Sequence, residues 1–218
     1  MRKNPRIVSR FSVLAIAVLT LTGVAWAGGV TTPGSVKTTE GNSDNLYPFN
    51  GDPIRYQQII AATEFSGGAG WITQIRLRPD AASGAAFSET LNSVQINLST
   101  TATSPEGMSK TFAQNIGPDE TIVYQGALAL SSAFTGPSAG PMALDIVITL
   151  QKPFYYDSTA GNLLIDVRNF LGGKTTQFDA QDAPDTTARV WNPDVNSPTA
   201  VASDPYPSVG LVLRFIFQ

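Results

Sequence analysis

Short runs in which apolar and polar residues alternate recur along the sequence, and they limit the fold more than any other feature. In WITQIRLRP, residues 71–79, the alternation separates two faces, Trp71, Thr73, Ile75 and Leu77 on one and Ile72, Gln74, Arg76 and Arg78 on the other. A period of two is the signature of a half-buried β-strand. This run therefore predicts a strand with Trp71 in the core.

Seven further runs predict strands, and no long segment shows apolar residues at helical spacing. Clusters rich in glycine and proline, such as SGGAG and TGPSAGP, separate them. Many short strands between such turns are typical of all-β sandwiches and barrels. We predict one all-β domain over residues 46–218, a two-sheet antiparallel β-sandwich with jelly-roll-like topology, preceded by a loose polar arm over residues 28–45. The seven runs are YQQIIAATEF, SVQINLST, TIVYQGALAL, ALDIVITL, NLLIDVRNF, TTARVW and VGLVLRFIFQ.

The first 27 residues have the pattern of a signal peptide. Four basic residues precede an apolar run over residues 11–24, and AWA then ends at Ala27 with the small side chains that signal peptidase requires. The apolar run is shorter than the roughly 20 residues of a membrane-spanning helix. We therefore predict cleavage after Ala27 and export by the general secretory route. The product would be secreted or periplasmic, with no stable membrane insertion.

The charge of the remaining chain excludes one class of partner. Four of the 14 basic residues lie in the signal peptide, which leaves 10 basic against 17 acidic residues and a net charge of −7. Nucleic-acid binding depends on clustered lysine and arginine, so we expect no nucleic-acid partner. The sequence has no cysteine, and packing must stabilise the domain without disulfides.

Several phrases occur together in an order that carries a resemblance. They are YPFN…RYQQII, ITQIRLRPD, VQINLSTT, MSKTFAQNIGPDETIVYQGAL, PFYYDSTAGNLLIDVRN and GLVLRFIF, between Tyr47 and Phe217. This chain resembles exported bacterial β-sandwich proteins that often carry a C-terminal PEP-CTERM sorting tail. The resemblance implies an extracellular or envelope-associated domain without a defined activity. The sequence reaches Gln218 with no Pro-Glu-Pro motif, which favours free secretion or periplasmic residence over surface sorting.

Residue types that are missing exclude most enzymatic chemistry. Without histidine or cysteine, Ser-His-Asp and Cys-His arrangements cannot form, and zinc and copper sites lose their usual ligands. Two chemistries remain. One is a carboxylate pair that acts on glycosidic bonds, and the other is oxygen ligation of calcium.

Three acids are candidates for a carboxylate pair. Asp145 and Asp166 lie in apolar strand runs, and Asp157 lies in the turn DSTAG. The alternative is that Asp145 and Asp166 face outward and pair with Arg168 or Arg214 across strands. Asp157 would then only form the turn, with Gly161 at a positive φ. We favour the structural alternative.

The segment DAQDAPD supplies three candidate calcium ligands, Asp179, Asp182 and Asp185. Closely spaced acids on a bent loop can provide several of the six to eight oxygens that calcium takes. The spacing does not match an EF-hand loop, and the simpler interpretation is a solvated acidic loop. No other cofactor is expected.

Aromatic residues in or near loops suggest a ligand surface. Trp191 ends a strand, Tyr206 lies between two prolines, and Tyr155 and Tyr156 point to opposite faces of an extended strand, so that one is expected to be exposed. We assign Trp191, Tyr206 and Tyr156 to a binding surface. The predicted function is an exported, non-enzymatic β-sandwich with a binding or envelope-structural role and polysaccharide as its ligand class. The alternatives are a carboxylate-dependent glycan-active enzyme and a purely structural surface or matrix protein.

Overall fold

A computed structural model describes residue 1 and residues 28–66, 68–201, 204 and 207–218 of the chain. The predicted signal peptide, its cleavage site at Ala27 and the predicted ligand residue Tyr206 lie outside the described residues. Within this described part of the chain, none of the helices has the length and apolarity that crossing a bilayer requires.

The described residues form twelve β-strands and three single-turn 3-10 helices. All eight predicted runs form strands, and the last is divided at Val212 into two. The helices are Gly34–Val36, Ala62–Phe65 and Phe112–Gln114. The strands are β1 (Gly28–Thr32), β2 (Ser43–Asn45), β3 (Ile54–Ile60), β4 (Ala69–Leu77), β5 (Phe87–Thr101), β6 (Thr121–Ser132), β7 (Ile146–Asp157), β8 (Asn162–Asn169), β9 (Phe178–Asp182), β10 (Thr187–Asn192), β11 (Val209–Leu211) and β12 (Leu213–Phe217).

The strands form antiparallel sheets that pack as a β-sandwich, which confirms the predicted fold class. One sheet has the order β1-β12-β4-β7, and the second has the order β10-β3-β8-β5-β6. A third, small sheet of β11-β9-β2 was not predicted. The chain passes between the two large sheets from β3 to β4, from β4 to β5, from β6 to β7 and from β7 to β8, as in a jelly-roll-like sandwich.

The core lies between the inward faces of the two large sheets. Ile75 and Phe215 enter it from the four-stranded sheet, and Ile96 and Val167 enter it from the five-stranded sheet. Each is at most 1% exposed. Burial of such side chains contributes about 1.5–3 kcal/mol each, so this single apolar layer stabilises a domain without disulfides.

The predicted loose arm over residues 28–45 is wrong, because these residues pair with strands from the far end of the chain. β1 is antiparallel to β12, and β2 is antiparallel to β9. Val36 lies between these two strands and is buried. Backbone hydrogen bonds to an existing sheet edge need no apolar alternation, so a polar, glycine-rich segment can form strands there.

Candidate functional site

A β-bulge in β4 turns Trp71 away from the core. Ile72 and Gln74 pair with the consecutive residues Phe217 and Ile216 of β12, which makes Thr73 an extra residue in β4. Ile72 faces inward on the N-terminal side of the extra residue, and Ile75 and Leu77 face inward on its C-terminal side. One inserted residue reverses which side chains face the core. The predicted core position of Trp71 is therefore wrong, and its side chain is 52% exposed.

Tyr155 lies directly across from Trp71 on β7 and is 50% exposed. The two ring centroids are 5.3 Å apart, and the ring planes meet at 64°. This is the edge-to-face arrangement that aromatic pairs prefer. The pair forms an exposed aromatic platform on the outer face of the four-stranded sheet. We refer to Trp71 and Tyr155 together as the aromatic platform.

A groove of about 540 Å³ begins at Tyr155, so the aromatic platform continues into a concave surface. The turn after β7 forms one wall of the groove. The end of β5 and the segment before β6 form the other. The lining residues are Thr100, Ala102, Pro118, Asp119, Tyr155, Asp157 and Ala160.

Two carboxylates in the groove are fixed by hydrogen bonds. The Thr159 hydroxyl and, to a smaller extent, its backbone N–H donate to Oδ1 of Asp157 and lower the pKa of this carboxyl. The backbone N–H of Thr100 donates to Oδ1 of Asp119 at 2.7 Å. Asp157 also shapes the turn, as predicted, with Gly161 at a φ of 155°. A carboxyl with a lowered pKa stays ionised and is a poor general acid.

Tyr156 belongs to the core, which contradicts its assignment to a binding surface. It is fully buried, and its hydroxyl donates to the Gly161 carbonyl oxygen at 2.9 Å. Burial raises the pKa of this hydroxyl. The strand pleat allows one of two consecutive tyrosines to face the core, and the exposed one is Tyr155.

Trp191 is half-buried, and its polar atom already has a protein partner. The indole N–H donates to Asp204 Oδ2 at 3.0 Å, and the ring lies 4.8 Å from the ring of Tyr47. Trp191 also borders a cavity of about 550 Å³, together with Arg189 and Asp204. Much of the ring and its N–H serve internal contacts, so Trp191 offers less free aromatic surface than the aromatic platform.

Asp166 lies in a buried ion pair with Arg55, not with Arg168 or Arg214 as predicted. Its carboxylate accepts from Arg55 Nη2 at 2.6 Å and from Gln57 Nε2 at 2.8 Å. The Arg55 guanidinium also stacks on Phe112, with its central carbon 4.4 Å from the ring centroid. The acid points away from the main core but is covered by the Phe112–Gln114 helix, so it is only 3% exposed.

Asp145 and Asp157 lie at opposite ends of β7 and form no carboxylate pair. Asp145 precedes Ile146 and accepts from the backbone N–H of Ala133, not from an arginine as predicted. Ile146 and Asp157 pair with Leu77 and Ala69, eight residue steps apart on β4, and at about 3.3 Å per step, with one more step to Asp145, the two acids are roughly 30 Å apart. Glycosidases need about 5–9.5 Å. Asp166 is enclosed by its own ion pair, so these three acids do not provide the geometry of a glycosidase.

The three predicted calcium ligands are not brought together. Asp179 and Asp182 are three residues apart on β9 and face opposite sides of the strand. Asp179 is fully buried against Arg78, whereas Asp182 is exposed and accepts from the Ser208 hydroxyl. Asp185 lies in a turn and shares a hydrogen bond with Glu106, which raises the pKa of Glu106.

Asp179 instead lies beside Glu40 and Asp80, and one carboxylate oxygen of each falls within 4.8 Å of the others. Arg78 donates to Asp179, and the backbone N–H groups of Ala81 and Ala82 donate to Glu40 and Asp80. Burial is the largest influence on Asp179 and raises its pKa to about 6. Arg78 opposes the rise, and the charge of Glu40 adds to it. Calcium would have to compete with Arg78, so we assign these carboxylates a structural role.

Comparisons of the chain with known protein families, curated proteins and solved structures found no match. The resemblance to exported proteins with PEP-CTERM tails therefore stays a prediction.

The sequence contains a signal for the aromatic platform, although its alternation pattern conceals it. Pro153 cannot donate to a strand ladder and is expected at an edge or a bulge. In the structure it lies in edge strand β7, within residues 150–153, where pairing with β4 is interrupted. The irregularity that Pro153 marks on β7 lies opposite the bulge that exposes Trp71.

Proposed function

We propose that this chain is an exported, non-enzymatic β-sandwich module that binds polysaccharide at the aromatic platform and the adjoining groove. The observation that carries the proposal is the cross-strand pair of half-exposed rings, Trp71 and Tyr155. Sequence reasoning assigned the ligand to Trp191, Tyr206 and Tyr156. Tyr156 is buried, and the contacts of Trp191 favour moving the site to the aromatic platform.

Exposed aromatic rings on a rigid sheet suit the apolar faces of sugar rings. The backbone of Trp71 is fixed by pairing on both sides, since it also exchanges hydrogen bonds with Gln218 at 3.0 and 3.2 Å. The contact with the Tyr155 ring also limits the motion of the indole, so less side-chain freedom is lost when a ligand stacks on it. Burying the exposed surface of both rings would also remove apolar area from water, which supplies the driving force.

The groove beside Tyr155 supplies the polar contacts that an aromatic surface lacks. Sugars carry hydroxyl groups that donate hydrogen bonds, and the carboxylates of Asp119 and Asp157 accept them. Ligand sites commonly combine an apolar surface with a few placed polar groups. The combination supports binding of a chain in which one sugar stacks on the platform and the next enters the groove.

Export is supported by the signal-peptide pattern of residues 1–27 in the sequence. The described strands all lie within residues 28–217. Removal of residues 1–27 would leave all of these strands intact. An envelope or extracellular location also agrees with the resemblance to exported proteins and would give the module access to polysaccharide.

The proposal is tested by pull-down of the purified protein with insoluble cellulose, chitin and bacterial cell-wall polysaccharide. We expect at least one of these to retain the wild type. Trp71→Ala and Tyr155→Ala should each weaken binding, Trp71→Ala by about tenfold or more, as truncation of an anchoring aromatic does. Both side chains are half-exposed, so the melting temperature should change little.

A matched control separates specific binding from general surface adhesion. Leu171 is 64% exposed and lies in the connection from β8 to β9, outside the aromatic platform and its groove. Leu171→Ala removes an apolar surface residue and should leave binding unchanged. Equal binding by wild type, Trp71→Ala and Tyr155→Ala would refute the site, and failure of wild type to bind any polymer would refute the function.

A further inference from the structure

The groove beside Tyr155 has a one-sided charge. Among its described lining residues, Asp119 and Asp157 are the ionisable acids, and no lysine or arginine lines it. The remaining lining residues, Tyr155 excepted, are Thr100 and small apolar side chains. A ligand unit that enters therefore meets two negative charges with no positive group in the wall to offset them.

The two carboxylates are held in similar ways, with one oxygen used by the protein and the other available. Oδ1 of Asp157 accepts from Thr159, and Oδ1 of Asp119 accepts from Thr100. Oδ2 of each has no hydrogen-bond donor within the described part of the chain. A fixed carboxylate with an available oxygen is preorganised to accept a hydrogen bond from a charged donor, which is the stronger kind.

We propose that this groove selects polysaccharides that carry free amino groups, such as a partly de-N-acetylated hexosamine polymer. This inference rests on the proposed function and specifies its ligand. The ammonium group of such a sugar carries a positive charge and three donors, and Oδ2 of Asp119 and Oδ2 of Asp157 are each available to accept a hydrogen bond from it. It also lies beside the Tyr155 ring, where cations are attracted to the aromatic face.

The same charges discriminate against acidic polymers. A uronate or sulfate group in the groove would face two carboxylates and lose its hydration without gaining a cationic partner. The predicted processed chain adds a long-range repulsion, because its net charge of −7 disfavours approach of a polyanion. Specificity would then come from repulsion of the wrong ligand as well as attraction of the right one.

The test measures binding of three soluble probes to the purified protein by isothermal titration calorimetry at mildly acidic pH. The probes are an oligomer of β-1,4-linked glucosamine, its fully N-acetylated counterpart and a uronate oligomer. Asp119→Asn and Asp157→Asn remove the charges while keeping size and shape. We expect each to weaken glucosamine-oligomer binding about two- to fivefold, and the double variant about tenfold. Binding of the N-acetylated oligomer should change by less than about twofold.

Asp194→Asn is the matched control, because Asp194 is an exposed turn acid that accepts from the backbone N–H of Asn196, two residues ahead, as Asp157 accepts from Thr159. It does not line the groove, so its substitution should leave all three affinities unchanged. High salt should weaken the glucosamine oligomer and not the N-acetylated one.

The outcomes separate this inference from the proposed function. Wild-type affinities that are equal for the glucosamine and uronate oligomers, or a double variant that binds glucosamine as wild type does, would overturn the charge selection. Loss of the N-acetylated oligomer in Trp71→Ala would still support binding at the platform in that case. If no oligomer binds the wild type, the proposed function fails, and this inference fails with it.

Discussion

Arg55 and Asp166 form a buried ion pair that joins β3 to β8, and their closest atoms, Nη2 and Oδ2, are 2.6 Å apart. Gln57 donates to the same carboxylate oxygen and accepts from Asn115 Nδ2, which lies just after the Phe112–Gln114 helix. The pair therefore also attaches the segment over residues 109–115 to the outer face of the sheet. This places Asp166 in the architecture of the domain and not in its chemistry.

Removal of one partner of this pair should destabilise the domain strongly. Asp166→Ala leaves the Arg55 guanidinium buried without its counter-charge, and we expect the free energy of unfolding to fall by about 3–5 kcal/mol. Urea denaturation measures the change. Replacing both residues with leucine should recover part of the loss, because no unpaired charge remains. A fall below about 1 kcal/mol in Asp166→Ala would contradict the structural role.

The ionisation of Asp179 should make stability depend on pH. Its pKa rises from 3.8 to about 6 in the folded protein, so the folded state retains this proton where the unfolded state has lost it. The contribution of Asp179 is therefore complete below about pH 4 and is lost as the pH rises through about 6. The loss is at most about 3 kcal/mol.

Comparison of wild type with Asp179→Asn isolates this effect, because asparagine does not titrate. Urea denaturation between pH 4 and pH 7 should show the stability of wild type relative to Asp179→Asn decreasing as the pH rises. Carboxylates distant from Asp179 titrate alike in both proteins and cancel in the difference. A difference that is flat or increases with pH would show that burial does not dominate the environment of Asp179.

Local pattern predicts the strands of this chain well, but not what lies opposite them. All eight runs that were predicted from alternation form strands, because an inward apolar face is a local property of each run. It wrongly placed Trp71 in the core, because a single extra residue in β4, Thr73, reverses the faces and local alternation does not show it. It missed β1, β2 and β9, whose pairing depends on distant backbone groups.

The site residues show the same limit. Asp157 was correctly predicted as a turn residue, since its partner Thr159 is two positions away. The partners of Asp166 and Asp179 are 111 and 101 residues distant, and only the strand register brings them together. The proposed aromatic platform likewise depends on the register of β4 with β7, which local pattern does not specify.

The predicted cleavage after Ala27 fixes the N-terminus and the mass of the exported protein. If signal peptidase cleaves after Ala27, the protein isolated from the periplasm or medium should have the intact mass of residues 28–218. Ala27→Leu removes the small side chain that the peptidase requires, and the uncleaved precursor should accumulate with the membrane fraction. A mature protein that retains residues 1–27 would contradict the predicted cleavage site.

Tryptophan fluorescence should report the bulge in β4 directly. In the processed chain, Trp71 and Trp191 are the two tryptophans, so Trp191→Phe leaves Trp71 as the single emitter. Because Trp71 is 52% exposed, its emission should be red-shifted and strongly quenched by acrylamide. The reciprocal variant, Trp71→Phe, leaves the half-buried Trp191, and its emission should be bluer and less readily quenched. A blue, protected Trp71 would place it in the core and remove the bulge.

The Trp191→Phe and Trp71→Phe variants also test which tryptophan the polysaccharide contacts. A polysaccharide that stacks on Trp71 shields the indole from acrylamide, so saturating ligand should reduce quenching in Trp191→Phe. In Trp71→Phe, the ligand should leave the quenching of Trp191 unchanged, because the Trp191 ring contacts Tyr47 and its N–H is bonded to Asp204. If the ligand protected Trp191 and not Trp71, the binding site would lie at the cavity beside β10 instead of the aromatic platform.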